Sequence, residues 1–142
     1  MAKVSWNPAF EIGIPHIDKQ HQELVSMINK LDNSISGGMV NPEVETVLVE
    51  LVRYSTEHFG TEERFMLEIG YPQLAEHLKL HHDLREAVKS YLIRLKQGNT
   101  ITARELITFL AEWLIRHIMH EDKQIGLYHK LQQAKSTAQP TA

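Results

Sequence analysis

A chain of 142 residues with a net charge of -3, 42% hydrophobic and 23% charged, has the composition of one soluble globular domain, long enough to bury an apolar core unaided. No basic excess suits nucleic acid or an anionic membrane surface. The absence of cysteine excludes disulfides, thiolate-bound zinc, iron–sulfur clusters and thiolate-ligated haem.

Met1-Ala2-Lys3-Val4 lacks the apolar run of a signal peptide, and no stretch is long enough to span a bilayer, so a cytoplasmic location is expected. Residues 1–17 read as an extended arm. Its apolar Trp6, Phe10, Ile12, Ile14 and Ile17 are irregularly spaced among the breakers Pro8, Gly13 and Pro15, and they suit a lid over a core. A first helix is expected from Asp18 as N-cap to Gly37-Gly38, with Leu24, Ile28, Leu31 and Ile35 as its apolar stripe. The second starts at Asn41-Pro42 and ends at Gly70, with the stripe Val44, Val47, Leu48, Leu51, Phe65 and Ile69 and an interior Gly60 that marks a bend. Tyr71-Pro72 opens a third, bearing Leu74, Leu84, Val88, Leu92 and Leu95, which stops near Gly98-Asn99. In the fourth, Thr102 to Glu105 forms a capping box, and Ile101 with Leu106 a hydrophobic staple. Its stripe is Leu106, Leu110, Trp113 and Leu114. The helix is expected to fray after Gly126, and 134–142 to be a disordered tail. Four helices with short loops, and no strand signal, imply an all-α, antiparallel up-down-up-down bundle over 1–133.

The chain carries nine histidines, and where they fall matters more than their number. Extending each stripe through its polar positions puts His21 on the inward face of the first helix, His58 and Glu62 on the second, His77 and His81 on the third, and His117 on the fourth. Each polar group buried alone costs roughly 1–3 kcal/mol, so this set needs a compensating partner, and a metal supplies it economically. Level is an independent test. At about 1.5 Å per residue, all of these positions lie within roughly 4–18 Å of one end of an antiparallel bundle. The pairs His58/Glu62 and His77/His81 are spaced i, i+4, one turn apart on one face. The fourth helix leaves three candidates: Glu121 at i+4 from His117, His120 at i+3, and Asp122 at i+5, the last turned about 140° away at about 100° per residue.

The segments Gly13-Ile-Pro-His-Ile-Asp-Lys-Gln-His21, His58-Phe-Gly-Thr-Glu62-Glu63, Tyr71-Pro72 with His77-Leu-Lys-Leu-His81, and Trp113-Leu-Ile-Arg-His117-Ile-Met-His-Glu-Asp122 resemble the hemerythrin family in its single-domain bacterial form, the bacteriohemerythrins. The likeness runs from about Trp6 to Tyr128. It implies two iron ions joined by an oxo or hydroxo bridge. His77, His81 and His117 would hold one ion, His21 and His58 the other, and Glu62 and Asp122 would bridge them. The family pattern selects Asp122 over Glu121, and reaching it implies a local distortion of the helix. The first iron is then six-coordinate and the second five-coordinate, with one position open to dioxygen.

The resemblance therefore implies reversible dioxygen binding, for storage, delivery or sensing, rather than an enzyme. Leu24, Phe59, Trp113, Leu114 and Ile118 resemble the family's dioxygen pocket, and core packing explains them equally. The expected partners are dioxygen and, for delivery, oxygen-requiring enzymes; the chain is expected to be a monomer. A peroxidase, an oxidase or a nitric oxide-handling protein is the alternative. A structural zinc is a third reading, at odds with seven donors against zinc's usual four. Carboxylate-rich di-iron oxidases use Glu-x-x-His pairs, and this chain has none. His16, His82 and His129 are read as solvated or outer histidines, His120 as an inward residue of open role, Glu63 and Glu121 as surface carboxylates, and Met66 and Met119 as core or rim.

Overall fold

A computed structural model describes residues 5–37, 41–98 and 100–138. A short 3-10 turn, Pro8–Phe10, precedes α1 (Pro15–Ser36), α2 (Asn41–Glu68), α3 (Leu74–Lys96) and α4 (Thr100–Arg116); a π-helical segment, His117–Asp122, then joins α4 to α5 (Lys123–Ala138). α1 packs on α2 and α4, and α3 packs on α2 and α4. Each helix thus lies beside its neighbours in sequence and the ring closes between first and fourth, an antiparallel four-helix bundle. Among the described residues no helix is long and apolar enough to cross a membrane.

The interior has two halves. Where α1 ends and α2 begins, Leu31, Leu48, Leu95, Leu106 and Ile107 are wholly buried. Each such side chain contributes about 1.5–3 kcal/mol on leaving water. Toward the opposite end the interior turns polar. His21, His58, Glu62, His77, His81, His117 and Asp122 are all buried there.

Helix ends refine the sequence-based boundaries. α1 starts at Pro15, three residues before the expected cap, because proline presets φ and lacks the N–H that a first turn leaves unpaired. Asp18 therefore lies inside the first turn. Its carboxylate reaches back to accept the N–H of Ile12 at 2.8 Å and of Gly13 at 3.2 Å, pinning the arm to the helix. Gly13, at φ 89, takes the left-handed turn that this requires. α2 runs unbroken through Gly60 and stops where expected. Gly70 (φ 66) donates to Leu67 O and Tyr71 N–H to Met66 O, the double bond of a Schellman end. Tyr71 and Pro72 lie in the turn, and α3 begins at Leu74.

The fourth rod departs most from expectation. Gly126 neither ends nor frays it, and α5 continues to Ala138, into the segment expected as a tail. A Cβ at Gly126 would sit 1.9 Å from Ile12 O. This glycine admits the arm, whose Ile12, Ile14 and Ile17 are buried as a lid's side chains should be. Gly38, Asn99, residues 139–142 and the side chains of Asn41, Ile101 and Thr102, on which other expected caps and the tail rest, lie outside the described residues.

Candidate metal centre

Four rods deliver the polar layer. On α2, His58 and Glu62 share a face one turn apart, and His58 Nε2 lies 2.8 Å from Glu62 Oε2. On α3 the same spacing places the rings of His77 and His81 4.6 Å apart, with each Nε2 3.2 Å from Glu62 Oε1. α1 contributes His21, whose Nε2 is 3.1 Å from both Glu62 Oε2 and Asp122 Oδ2.

The fourth rod resolves the choice that spacing left open. From His117 to Asp122 the helix is π-wound, and Lys123 N–H bonds to Ile118 O, five residues back. One turn then holds an extra residue, so an i+5 neighbour arrives on the face that i+4 occupies in an α-helix. Asp122 is fully buried, with Oδ1 3.1 Å from both His117 Nε2 and His77 Nε2. His120 is exposed and Glu121 half-buried. The expectation that His120 faces inward is corrected, because the inserted residue turns it outward.

The seven side chains sort themselves into two sets. Glu62, His77, His81, His117 and Asp122 each bring one donor atom within 4.8 Å of the others, and so do His21, His58, Glu62 and Asp122. Only the two carboxylates belong to both. Glu62 turns Oε1 toward His77 and His81 and Oε2 toward His21 and His58. Asp122 likewise turns Oδ1 toward His77 and His117 and Oδ2 toward His21.

The outer partners show what these nitrogens have to offer. His81 Nδ1 donates to Glu63 Oε2 at 2.8 Å, an oxygen that also accepts from Arg85. His58 Nδ1 donates to Gln20 Oε1 at 2.7 Å. The orientation of that amide is set by its NH2, which donates to Thr61 Oγ1, a hydroxyl whose own hydrogen goes to Glu57 O. With Nδ1 protonated, a neutral ring presents a lone pair at Nε2. These lone pairs face carboxylate oxygens, and His81 Nε2 lies 3.2 Å from His117 Nε2. Asp122 Oδ1 and Oδ2 are buried and make no hydrogen bond of good geometry. Lone pairs converging on lone pairs repel unless a cation lies between them, so the donor set fits metal ions.

The electrostatics agree. Burial alone would lower the histidine pKa values, but the close carboxylates of Asp122 and Glu62 outweigh it and raise His21 to about 10 and His77 to about 9. Burial would push the Glu62 carboxyl up, yet His58, His21 and His77 hold it well below the usual range. Asp122 is lowered too. Burial and the charge of Glu62 oppose that shift, and His117 and His21 overcome them. This layer attracts positive charge strongly.

Apolar groups wall it. Phe59 stacks on His81 with ring centroids 3.8 Å apart, and Trp113 on His117 at 4.3 Å. Leu24, Leu114 and Ile118 are buried within a turn of His21 or His117. Two outer partners escaped the sequence reading. Glu63, taken for a surface carboxylate, holds His81, and Gln20 holds His58. Both sit directly beside a buried donor in sequence, but their bonds cross between helices and join residues 18 and 38 apart, which no local periodicity reveals. His16 and His82 are exposed, as read.

Residues 12–126 match the family model described as the hemerythrin HHE cation binding domain. The chain is 37% identical to a bacteriohemerythrin of Stenotrophomonas maltophilia over 87% of this chain and 79% of that protein. It is 29% identical to a bacteriohemerythrin of Clostridium acetobutylicum over 84% of this chain and 95% of that one. A crystal structure of wild-type hemerythrin superposes with a TM-score of 0.74 at 30% identity, covering 87% of this chain and 95% of that one.

Proposed function

The chain belongs to the hemerythrin family, and from that premise we propose that it binds dioxygen reversibly at a di-iron centre built from its seven buried donors. His77, His81 and His117 would hold one ion and His21 and His58 the other, with Glu62 and Asp122 bridging both. An iron pair held by these residues would supply the reversible redox chemistry that dioxygen binding needs.

One observation carries the reading: two carboxylates are shared between a set of three histidines and a set of two. The set with two histidines offers one protein donor fewer than the set with three, so an ion held there would keep room for a small ligand. Selectivity for a small neutral gas follows from the walls. Phe59 and Trp113 lie flat on two of the donors, and Leu24, Leu114 and Ile118 add apolar surface, so bulk water and large reductants are kept from the ions. Imidazole-rich ligation donates less negative charge than carboxylate-rich ligation, which favours release of the ligand over further oxidation. Gln20 and Glu63 fix the tautomers of His58 and His81 so that Nε2 is always the donor.

The test is optical. Reduced, iron-loaded protein is titrated with oxygen and its visible spectrum followed through repeated deoxygenation. Full recovery over many cycles is expected. Rapid conversion to a form that no longer responds to oxygen would overturn reversible binding, and steady consumption of an added reductant would support the peroxidase or oxidase alternative instead.

A further inference from the structure

The two halves of the metal layer are backed by groups of different charge. The three-histidine half is backed by an anion. Glu63 Oε2 accepts from Nδ1 of the wholly buried His81 at 2.8 Å. Arg85 reaches the same oxygen at 3.4 Å while its guanidinium lies over the ring of Phe59, 5.4 Å from the centroid. Phe59 in turn stacks on His81, its ring plane tilted by only 10°. Glu63, His81, Phe59 and Arg85 form a closed circuit that fixes His81 by edge and by face. The two-histidine half is backed by a neutral amide, Gln20, whose orientation Thr61 sets.

A hydrogen bond from an imidazole N–H to a carboxylate moves electron density onto the opposite nitrogen, making it a stronger metal donor; an amide oxygen does so much less. Built on the ligand assignment proposed above, we infer that Glu63 is a positioning residue acting through His81: it strengthens one histidine's donation and thereby biases the three-histidine iron toward tight retention and the ferric state. The neutral Gln20 leaves the iron with the open position the weaker donor set, so the pair is electronically unequal by design of its outer partners as well as by ligand count. Arg85 completes the device by holding the carboxylate against the ring.

The charge can be removed without the shape. Wild type, Glu63→Gln and Gln20→Glu would be loaded anaerobically with ferrous iron and checked for fold by circular dichroism. Iron retention against a competing chelator and the midpoint potential of the bound iron would then be measured. Glu63→Gln is expected to give up iron roughly 10–100-fold more readily, the range typical of losing an outer partner, and to move to a more positive potential. Gln20→Glu, which adds the charge on the other half, is expected to move the potential the opposite way, and it carries the test alone should Glu63→Gln fail to fold. A folded Glu63→Gln protein with wild-type retention and potential overturns the inference, as does a Gln20→Glu protein whose potential does not become more negative. Wild type that takes up no iron overturns the ligand assignment itself, a failure distinct from either.

Discussion

The second and third helices reach the metal layer by regular geometry, and the fourth rod reaches it by breaking that geometry. His58/Glu62 and His77/His81 sit i, i+4 on unbroken α-helix, whereas His117 and Asp122 need five residues and a π-wound turn. Regular spacing costs nothing and sets a ligand pair wherever the helix axis places it. The π segment gives up regular α hydrogen bonding, and in exchange it brings a short carboxylate beside His117 while re-phasing everything that follows. Irregularity of this kind recurs at functional sites.

Breaking the regular half has the largest expected effect. Glu62 faces four histidines from three helices, so Glu62→Ala should abolish binding of both ions, measured as iron per chain after loading. Retention of both would sink the bridging role.

The fourth rod sharpens the contrast. Asp122→Ala should cost more iron affinity than the roughly 10–100-fold typical of an outer partner. Glu121→Ala, at the i+4 position a regular helix would have used, should leave iron content unchanged, with stability within about 0.5 kcal/mol of wild type. Chelator competition on both variants decides whether i+5 is the functional spacing.

Next in size is a pH effect on protein stripped of metal, in which the two carboxylates from these contrasting regions hold His21 at about 10 and His77 at about 9. Both values are raised from an unfolded value near 6.5. The stabilisation is therefore complete below that value and is lost as pH rises through about 9 to about 10. Thermal melts should show the stripped protein losing stability on the order of a few kcal/mol across this window. The iron-loaded protein should lose much less, because the ions replace the protons. Equal alkaline profiles would argue against metal and proton sharing these nitrogens.

The last effect, on stability alone, lies beyond the π segment. Gly126→Ala forces a methyl against Ile12 O. Because the obstacle is backbone, the arm must shift, at about 1–3 kcal/mol as for other overpacked contacts. Denaturant melts would measure it, and a neutral result would mean that the arm is not seated against α5.

Much of this molecule was legible before its fold. Apolar stripes at helical period gave the four helices. The interruption of those stripes by His21, His58, Glu62, His77, His81 and His117 at one level gave the centre, because a buried polar residue is conspicuous against an apolar background. The choice among His120, Glu121 and Asp122 was not legible from spacing, which left all three open. The family pattern selected Asp122, and the π segment supplies the geometry that brings it to His117. Gly126 and Asp18 were misread for a related reason. Each looks like a helix terminus, yet the glycine is small to admit Ile12 and the aspartate reaches back to the arm. Glu63 and Gln20 resembled ordinary surface residues, since nothing local distinguishes an outer hydrogen bond from solvation.

Helix count, core faces and the identity of most buried donors follow from the order of residues alone, since a helix's 3.6-residue period is a property of the backbone. The pairing of Glu63 with His81 and of Gln20 with His58, the seat of the arm on Gly126, and the arrival of Asp122 at His117 were decided only in three dimensions. Each depends on contact between distant segments or on a local change of helical winding, neither of which a fixed period encodes.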